Sequence, residues 1–199
     1  PATIGLIGEL GTGKTTFSCQ FLYEGLKQNE KVLYSTVDHS PLDIRKKMRM
    51  IGCDFKKYEN CGLLTICDLY NDKDSDEKYK INDIDDIQRL HEHFTSIVID
   101  LHPKRLVFDS LSLFLLLHGE KKFFSFGQAL HRLTRKLGMT SIVAFHQGFH
   151  NEKLEYTFRL LGDVTILLDQ YHKKDSFIRT LFIDRAFMTP LNQISISYE

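Results

Sequence analysis

A glycine-rich run near the start of the chain lies between an apolar segment and an amphipathic one. The run is Gly-Glu-Leu-Gly-Thr-Gly-Lys-Thr at residues 8–15. It follows an apolar stretch at residues 2–7 and precedes residues 16–23, whose apolar side chains recur at helical spacing. This order predicts a buried strand, a tight loop and a helix. Glycines let a loop wrap a polyphosphate, and a helix N-terminus offers unpaired N–H groups to it. The run therefore predicts a Walker A loop that binds a nucleoside triphosphate.

The polar side chains of this loop have separate predicted roles. Lys14 is expected to reach the β- and γ-phosphates and to act in catalysis, while the Thr15 hydroxyl is expected to bind Mg²⁺. The predicted nucleotide-binding set comprises Glu9, Leu10, Gly11, Thr12, Gly13, Lys14, Thr15 and Thr16.

A Mg²⁺-triphosphate site also needs an acidic side chain at the end of a neighbouring strand. Asp100 and Asp109 both follow short apolar runs. The run before Asp109 comes after a turn signal at residues 102–104, whereas Asp100 continues the period of the preceding helix. We therefore predict that Asp109 is the second metal ligand.

Composition favours one soluble domain over residues 1–199. The chain has 26 basic and 26 acidic residues, which argues against a broad nucleic-acid-binding surface. The four cysteines form no CxxC pair, and those within apolar runs are expected to be buried thiols. The sequence contains no signal-peptide pattern, and its longest apolar run (111–117) is too short for a membrane span. We expect a cytoplasmic protein without membrane insertion.

Strand and helix signals alternate along the chain, which predicts an α/β fold with a mainly parallel sheet flanked by helices. Helices are expected at about 41–51, 84–101 and 122–137, and added antiparallel strands near 163–169, 176–184 and 191–198. Residues 70–86 are polar and aperiodic until Ile81, and we expect a mobile insertion there. The run Leu111–Leu117 is expected to belong to the core, with a partner contact as the alternative.

The chain resembles the KaiC-like branch of the RecA ATPases. The residues that carry the resemblance are the Walker A run, Phe17, residues 20–26, Lys31–Tyr34, Ser40–Asp43 and Leu106–Ser112. The resemblance covers most of the chain and is strongest up to Gly52. It implies a RecA-type fold, ATP as the nucleotide, and assembly into rings or filaments with nucleotide at subunit interfaces.

The chain departs from the family pattern at three places. Members usually carry two glutamates after the second strand, the first of which polarises the attacking water; here these positions are Asp38 and His39. Asp38 keeps the carboxylate on a shorter side chain, and His39 either binds the water or is a turn residue. Members often supply a Lys and an Arg to the neighbouring subunit, where this chain offers only Arg185, which also fits a structural ion pair. Members usually have a glycine-rich segment before the first strand, whereas this sequence begins almost at that strand, and we expect either a minimal protein or a truncated one.

His146 and Gln147 follow a predicted strand at 140–145. In RecA-like folds a polar residue there can sense the γ-phosphate, although both side chains also suit a surface loop. The leading functional hypothesis is an ATP-binding regulatory or assembly switch with weak or absent ATPase activity, acting through self-association or a protein partner. One alternative is a DNA-stimulated recombinase-like ATPase, but this sequence shows none of the basic loops expected for that class. The other is a small-molecule kinase, but the sequence shows no arginine-rich lid.

Overall fold

The protein is described by a computed structural model that covers residues 1–70, 75–82, 84–173, 176–187 and 195–198. Its strands are β1 (Ala2–Gly8), β2 (Val32–Thr36), β3 (Leu64–Asp68), β4 (Tyr79–Lys80), β5 (Arg105–Asp109), β6 (Thr140–His146), β7 (Val164–Lys173), β8 (Ser176–Ala186) and β9 (Ser195–Tyr198). Its helices are α1 (Lys14–Lys27), α2 (Pro41–Met50), α3 (Phe55–Asn60), α4 (Ile87–Leu101), α5 (Ser112–Leu137) and α6 (Glu152–Arg159).

The strands form one sheet in the order β4-β3-β2-β5-β6-β1-β7-β8-β9. Neighbouring strands from β4 to β7 pair in parallel, whereas β8 pairs antiparallel with both β7 and β9. The predicted α/β fold, with a parallel core and antiparallel strands at the C-terminal end, is confirmed. Because β1, β2, β5 and β6 run in one direction, their carboxyl ends meet at a single edge of the sheet.

Helices cover both faces of the sheet. Neighbouring residues on one strand point to opposite faces, as Val107 and Phe108 do when they join different apolar clusters. The cluster around Phe108 includes side chains of α4 and α5, and the cluster around Val107 includes side chains of α1, α2 and α3. This arrangement leaves the edge formed by the strand ends uncovered by either helical layer.

The helix predicted at about 41–51 is confirmed as α2. Ser40 caps the helix by accepting a hydrogen bond from the Asp43 amide at 3.1 Å, and Pro41 occupies the first turn. Gly52 follows the helix with φ near +79°. Cys19 and Cys67 are buried, as predicted for thiols in apolar runs, and burial raises the pKa of both.

The helix predicted at about 122–137 is confirmed as the C-terminal part of α5, and the part of α5 before it was not predicted. The helix begins at Ser112 and changes direction at Gly119, where φ is 75° and ψ is 170°. Within the apolar run before the bend, Leu111, Phe114 and Leu115 are buried. Leu116 and Leu117 are 63% and 45% exposed, so the core prediction holds for only part of the run. The run forms a helix that buries one face in the core and exposes the other.

The polar segment 70–86 is partly built into the sheet. Tyr79 and Lys80 form β4 beside β3, and Ile81 is only 2% exposed. Residues 71–74 and 83 lie outside the described residues, and the mobility of the segment stays a prediction. Sequence reasoning also missed the short helices α3 and α6, capped by the side chains of Asp54 and Asn151. In the predicted strand at 191–198, residues 195–198 form β9 and the earlier ones are not described.

Candidate nucleotide site

The glycine-rich loop lies between β1 and α1, as predicted. Gly11 and Gly13 have φ values of 82° and 93°, a conformation that side-chain-bearing residues rarely adopt. Gly13 precedes the first turn of α1, and no side chain caps that turn. The N-terminus of a 14-residue helix therefore faces the loop with unpaired N–H groups, which favours an anion.

Lys14 lies at the base of this loop. Its Nζ atom donates hydrogen bonds to the carbonyl oxygens of Gly8 and Glu9, each at 2.7 Å. Burial lowers the pKa of Lys14 to about 8, against the opposing attraction of the carboxylates of Asp109 and Asp38. The ammonium group is thus held inside the protein with only partial compensation of its charge, and anionic phosphates would complete that compensation.

Asp109 ends β5, directly beside the end of β2. The Tyr34 hydroxyl donates to Asp109 Oδ2 at 2.6 Å, and Asp109 is only 3% exposed. Burial, reinforced by the adjacent Asp109 carboxylate, raises the pKa of Tyr34 well above its usual value. Asp100 lies in α4. The prediction that Asp109 ends a strand and Asp100 belongs to a helix is therefore confirmed.

Asp38 joins three strand ends through one carboxylate oxygen. Its Oδ2 atom accepts a hydrogen bond from Ser110 Oγ at 2.6 Å and lies 2.8 Å from Nε2 of His146. The backbone N–H of His146 in turn donates to Ser112 Oγ at 2.7 Å. The side chain predicted to face a water molecule is therefore tied to the segment after β5 and to the end of β6.

A pocket of about 400 Å³ lies over the glycine-rich loop. Its lining includes Leu10, Gly11, Gly13, Lys14, Thr15 and Thr16 of the predicted set, together with His39 and His146. Glu9, Thr12, Asp38 and Asp109 are not among its lining residues. Gln147 is not among its lining residues; its backbone N–H donates to the Gly8 carbonyl at 3.0 Å. The predicted sensor pair is thus divided, with only His146 at the pocket.

Three residues of the C-terminal strands, which sequence reasoning missed, also face the loop. Gln170, Arg179 and Tyr198 pair in register across β7, β8 and β9. Gln170 Nε2 donates to the Leu10 carbonyl at 3.2 Å, and the Tyr198 hydroxyl donates to the Thr12 carbonyl at 2.5 Å. Arg179 lines the pocket between them. These residues carry no motif, and only the order of the strands brings them to the loop.

Arg185 lies elsewhere in its own chain. It pairs with Thr165 near the start of β7, at the opposite end of the sheet from the loop. Its Nη1 atom donates to the carbonyl oxygens of Arg159 and Gly162, at 3.2 and 2.7 Å. Any contact between Arg185 and a nucleotide would therefore be made with another subunit.

The residues present suit a Mg²⁺-nucleotide. The hydroxyl of Thr15 and the carboxylate of Asp109 are oxygen donors of the type that Mg²⁺ prefers, while the positive-φ glycines and Lys14 provide a cradle for phosphate. No separate cluster of three or more metal-binding side chains occurs among the described residues. None of the helices described is long and apolar enough to span a bilayer.

Comparison with known proteins decides the family. A sequence model described as "ATPase: KaiC" matches residues 2–199, essentially the whole chain. The chain belongs to the KaiC ATPase family. A solved KaiC-like protein from Pyrococcus horikoshii superposes with a TM-score of 0.79 at 26% sequence identity, covering 100% of this chain and 85% of that one. The family assignment identifies a nucleotide-binding protein of the RecA superfamily, a class that typically binds nucleotide with Mg²⁺.

The chain is also similar in sequence to several UPF0273 proteins. A UPF0273 protein of Pyrococcus horikoshii is 37% identical over 111 residues, which cover 54% of this chain and 45% of the relative. A UPF0273 protein of Methanopyrus kandleri is 32% identical over 161 residues, which cover 76% of this chain and 63% of the relative. The chain thus spans about half the length of the first of these relatives and less than two thirds of the second.

Proposed function

We propose that this KaiC-family protein binds Mg²⁺-ATP over the glycine-rich loop and hydrolyses it slowly or not at all, so that bound ATP acts as a regulatory or assembly switch. The observation that carries the proposal is the occupied carboxylate of Asp38. Its Oδ2 atom already takes up hydrogen bonds from Ser110 and His146. The residue at the family's catalytic position is therefore both shorter than glutamate and committed to other partners.

Binding relies on charge already present at the loop. Lys14 would exchange its two carbonyl partners for phosphate oxygens, and Arg179 would add a second cation from β8. Mg²⁺, held by Thr15 and Asp109, would neutralise phosphate charge. These groups bind and orient the phosphates, but hydrolysis also needs a residue that positions and activates the attacking water.

Slow turnover follows from the placement of Asp38. A misplacement of about 1 Å in a catalytic group can cost on the order of a hundredfold in rate. The two hydrogen bonds to Oδ2 also hold the carboxylate in one orientation and occupy the oxygen that would otherwise position a water molecule. Bound ATP would therefore persist long enough to act as a signal.

The signal has a physical route into the helical layer. His146 lines the pocket, and its backbone N–H is bonded to Ser112 in the first turn of α5. A γ-phosphate that moves His146 would therefore move the start of α5, whose exposed Leu116 and Leu117 lie in the next turn. Self-association through this surface, or through Arg185 reaching a neighbouring subunit, would make assembly depend on nucleotide.

The test combines binding, turnover and assembly. ATP affinity and steady-state phosphate release are measured on the purified chain with and without Mg²⁺, with Lys14→Ala as the control. Sedimentation velocity with and without ATP reports assembly. Tight Mg²⁺-ATP binding with negligible turnover and an ATP-dependent change in sedimentation supports the switch. Turnover that single-stranded DNA raises many-fold contradicts it and favours a recombinase-like ATPase.

A further inference from the structure

The lining of the nucleotide pocket carries an excess of positive charge. Lys14 at the loop, Lys47 in α2 and Arg179 in β8 all line the pocket, whereas the described residues that line it include no aspartate or glutamate. The whole chain is balanced, with 26 basic and 26 acidic residues, so this excess is local. A cleft lined by charges of one sign attracts a ligand of the other sign.

The Lys47 side chain is open to such a ligand. Its neighbour Lys46 lies 3.7 Å from a carboxylate oxygen of Asp43, but Lys47 forms no ion pair or hydrogen bond through its side chain with the residues that the structure describes. Lys47 is partly buried, and its Nζ atom is not among the described polar atoms that are both buried and without a partner. The ammonium group is therefore accessible as well as unpaired.

The charge of Lys47 reaches the base of the loop. Burial is the main reason that the pKa of Lys14 is lowered to about 8, and the positive charge of Lys47 lowers it further. The same charge partly opposes the rise that burial causes in the pKa of Cys19, which lies one turn after Thr15 in α1. Two ammonium groups that repel each other at one pocket are both stabilised by an anion within reach of each.

The order of the strands places Lys47 on the side of the pocket where the metal is expected. The glycine-rich loop follows β1, and the neighbouring strands run β3-β2-β5-β6-β1-β7-β8. Asp109 ends β5, and α2 packs beside β3, so both lie on one side of β1, whereas Arg179 in β8 lies on the other. Mg²⁺ bridges the β- and γ-phosphates in sites of this type. Lys47 therefore approaches from the side on which the γ-phosphate is expected.

We propose that Lys47 binds the γ-phosphate of ATP within its own chain and so makes the site prefer ATP over ADP. The inference rests on the proposed ATP site and adds the residue that distinguishes its two nucleotide states. A lysine ammonium is a compact charge on a flexible stem, so it can follow a phosphate group from the second turn of α2. A contact made only when the γ-phosphate is present adds to ATP affinity and not to ADP affinity.

This assignment differs from the source of cations that the family resemblance implies. That resemblance places a lysine and an arginine on the neighbouring subunit, and this chain offers only Arg185 for that role. Lys47 belongs to the same chain as the loop. A single chain would then already distinguish ATP from ADP before it assembles with another.

The experiment measures the ratio of the Kd values for Mg²⁺-ADP and Mg²⁺-ATP by titration calorimetry in Lys47→Met. Methionine keeps an unbranched side chain but removes the charge. Loss of a charged contact to phosphate should raise the Kd for ATP about tenfold or more, while the Kd for ADP should stay within about threefold. Lys47→Arg keeps the charge and should retain more of the preference for ATP than Lys47→Met does.

Lys46→Met is the matched control, because it removes the same charge one residue earlier from an exposed side chain that does not line this pocket. Both of its Kd values should stay within about twofold of the original. Lys47→Gln replaces Lys47→Met if circular dichroism shows that the methionine variant does not fold.

Two results overturn the role of Lys47 and leave the proposed function standing. One is ATP binding by the charge-removing Lys47 variant with an unchanged ratio of the two Kd values, whether both values rise together or neither changes. The other is an equal change of that ratio in Lys46→Met, which would reflect net charge rather than a contact. Failure of the unaltered chain to bind ATP overturns the proposed function itself.

Discussion

Nε2 of His146 lies 2.8 Å from Oδ2 of Asp38, across the end of the strand that carries Asp109. This contact joins β2 to β6, which are not adjacent in the sheet because β5 lies between them. Ser110, directly after β5, donates to the same oxygen and closes the connection. The edge of the sheet where nucleotide is expected is therefore one hydrogen-bonded unit rather than three independent strand ends.

The unit continues into the helical layer. Ser112 accepts the backbone N–H of His146, and the adjacent Leu111 is fully buried in the apolar cluster of α4 and α5. We therefore expect a change at His146 to reach this packed core. That coupling is the route by which the proposed switch would act.

The first prediction concerns Asp109 and magnesium. Asp109→Asn keeps the shape of the side chain and can still accept the Tyr34 hydroxyl, but it removes the charge expected to hold Mg²⁺. Loss of one charged contact is worth about 1.5–3 kcal/mol, so Mg²⁺-dependent ATP binding should weaken about tenfold or more. Titration calorimetry with and without Mg²⁺ measures the effect. Asp100→Asn, in α4, is the control and should change nothing; the reverse pattern would assign the metal to Asp100.

The second prediction concerns pH and Lys14. Because burial lowers the pKa of Lys14 to about 8, the free protein loses this charge as pH rises above that value. Bound phosphates would raise the pKa again, so ATP binding should take up a proton above about pH 8, and affinity should fall by at most about tenfold per pH unit. The proton is counted by calorimetry in buffers of different ionisation enthalpy.

The same lowered pKa of Lys14 makes the folded chain more stable as pH rises, whereas it makes ATP binding weaker. A lysine with a lowered pKa destabilises the folded chain while it is charged. The cost is complete below about pH 8 and disappears as pH rises towards 10.5, the ordinary value. Lys14→Arg, whose side chain stays charged, should remove proton uptake on binding. Equal proton uptake by both proteins would place the titrating group elsewhere.

The third prediction concerns Tyr198. Its hydroxyl holds the Thr12 carbonyl from β9 and so stabilises the loop in one conformation before nucleotide arrives. A net contribution of about 0.5–1.5 kcal/mol predicts that Tyr198→Phe raises the Kd for ATP by about twofold to tenfold. Tyr171→Phe, at a half-exposed position on β7, is the matched control. An unchanged Kd in Tyr198→Phe would mean that the bond does not organise the loop for binding.

Much of the site was predictable because its motif is local. The run at residues 8–15, with the apolar residues on either side, specifies a strand, a loop and a helix. The positive φ of the loop glycines and the position of the Lys14 side chain at the loop depend only on this short stretch of chain. Asp109 was placed correctly because the end of a parallel strand can be recognised from its apolar run and the turn before it. The sequence thus predicted the strand, loop and helix around residues 8–15 and the position of Asp109 at a strand end, while the phosphate- and metal-binding roles of these residues stay predictions.

The rest depends on contacts distant in sequence. Tyr198 bonds to a residue 186 positions away, and His146 to one 108 positions away, so no spacing rule could pair them. The N-terminal part of α5 was missed because six of the seven residues at 111–117 are apolar and show no clear period, and only packing decides which of them are buried. Arg185 lies at the far end of the sheet from the loop of its own chain, and the predicted contact with a neighbouring subunit stays a prediction.

The last prediction concerns the core that supports the strand end. Phe108 is fully buried directly before Asp109, and its ring centroid lies 5.4 Å from those of Phe94 and Phe114 and 5.5 Å from that of Phe126. Replacing a buried phenylalanine by alanine removes apolar burial and leaves a cavity, so Phe108→Ala should lower the free energy of unfolding by about 3–5 kcal/mol. Urea denaturation followed by circular dichroism measures it. Phe149→Ala, at a position 54% exposed, should change it by less than about 0.5 kcal/mol. Similar losses in both variants would contradict the burial that holds the end of β5, where Asp109 lies.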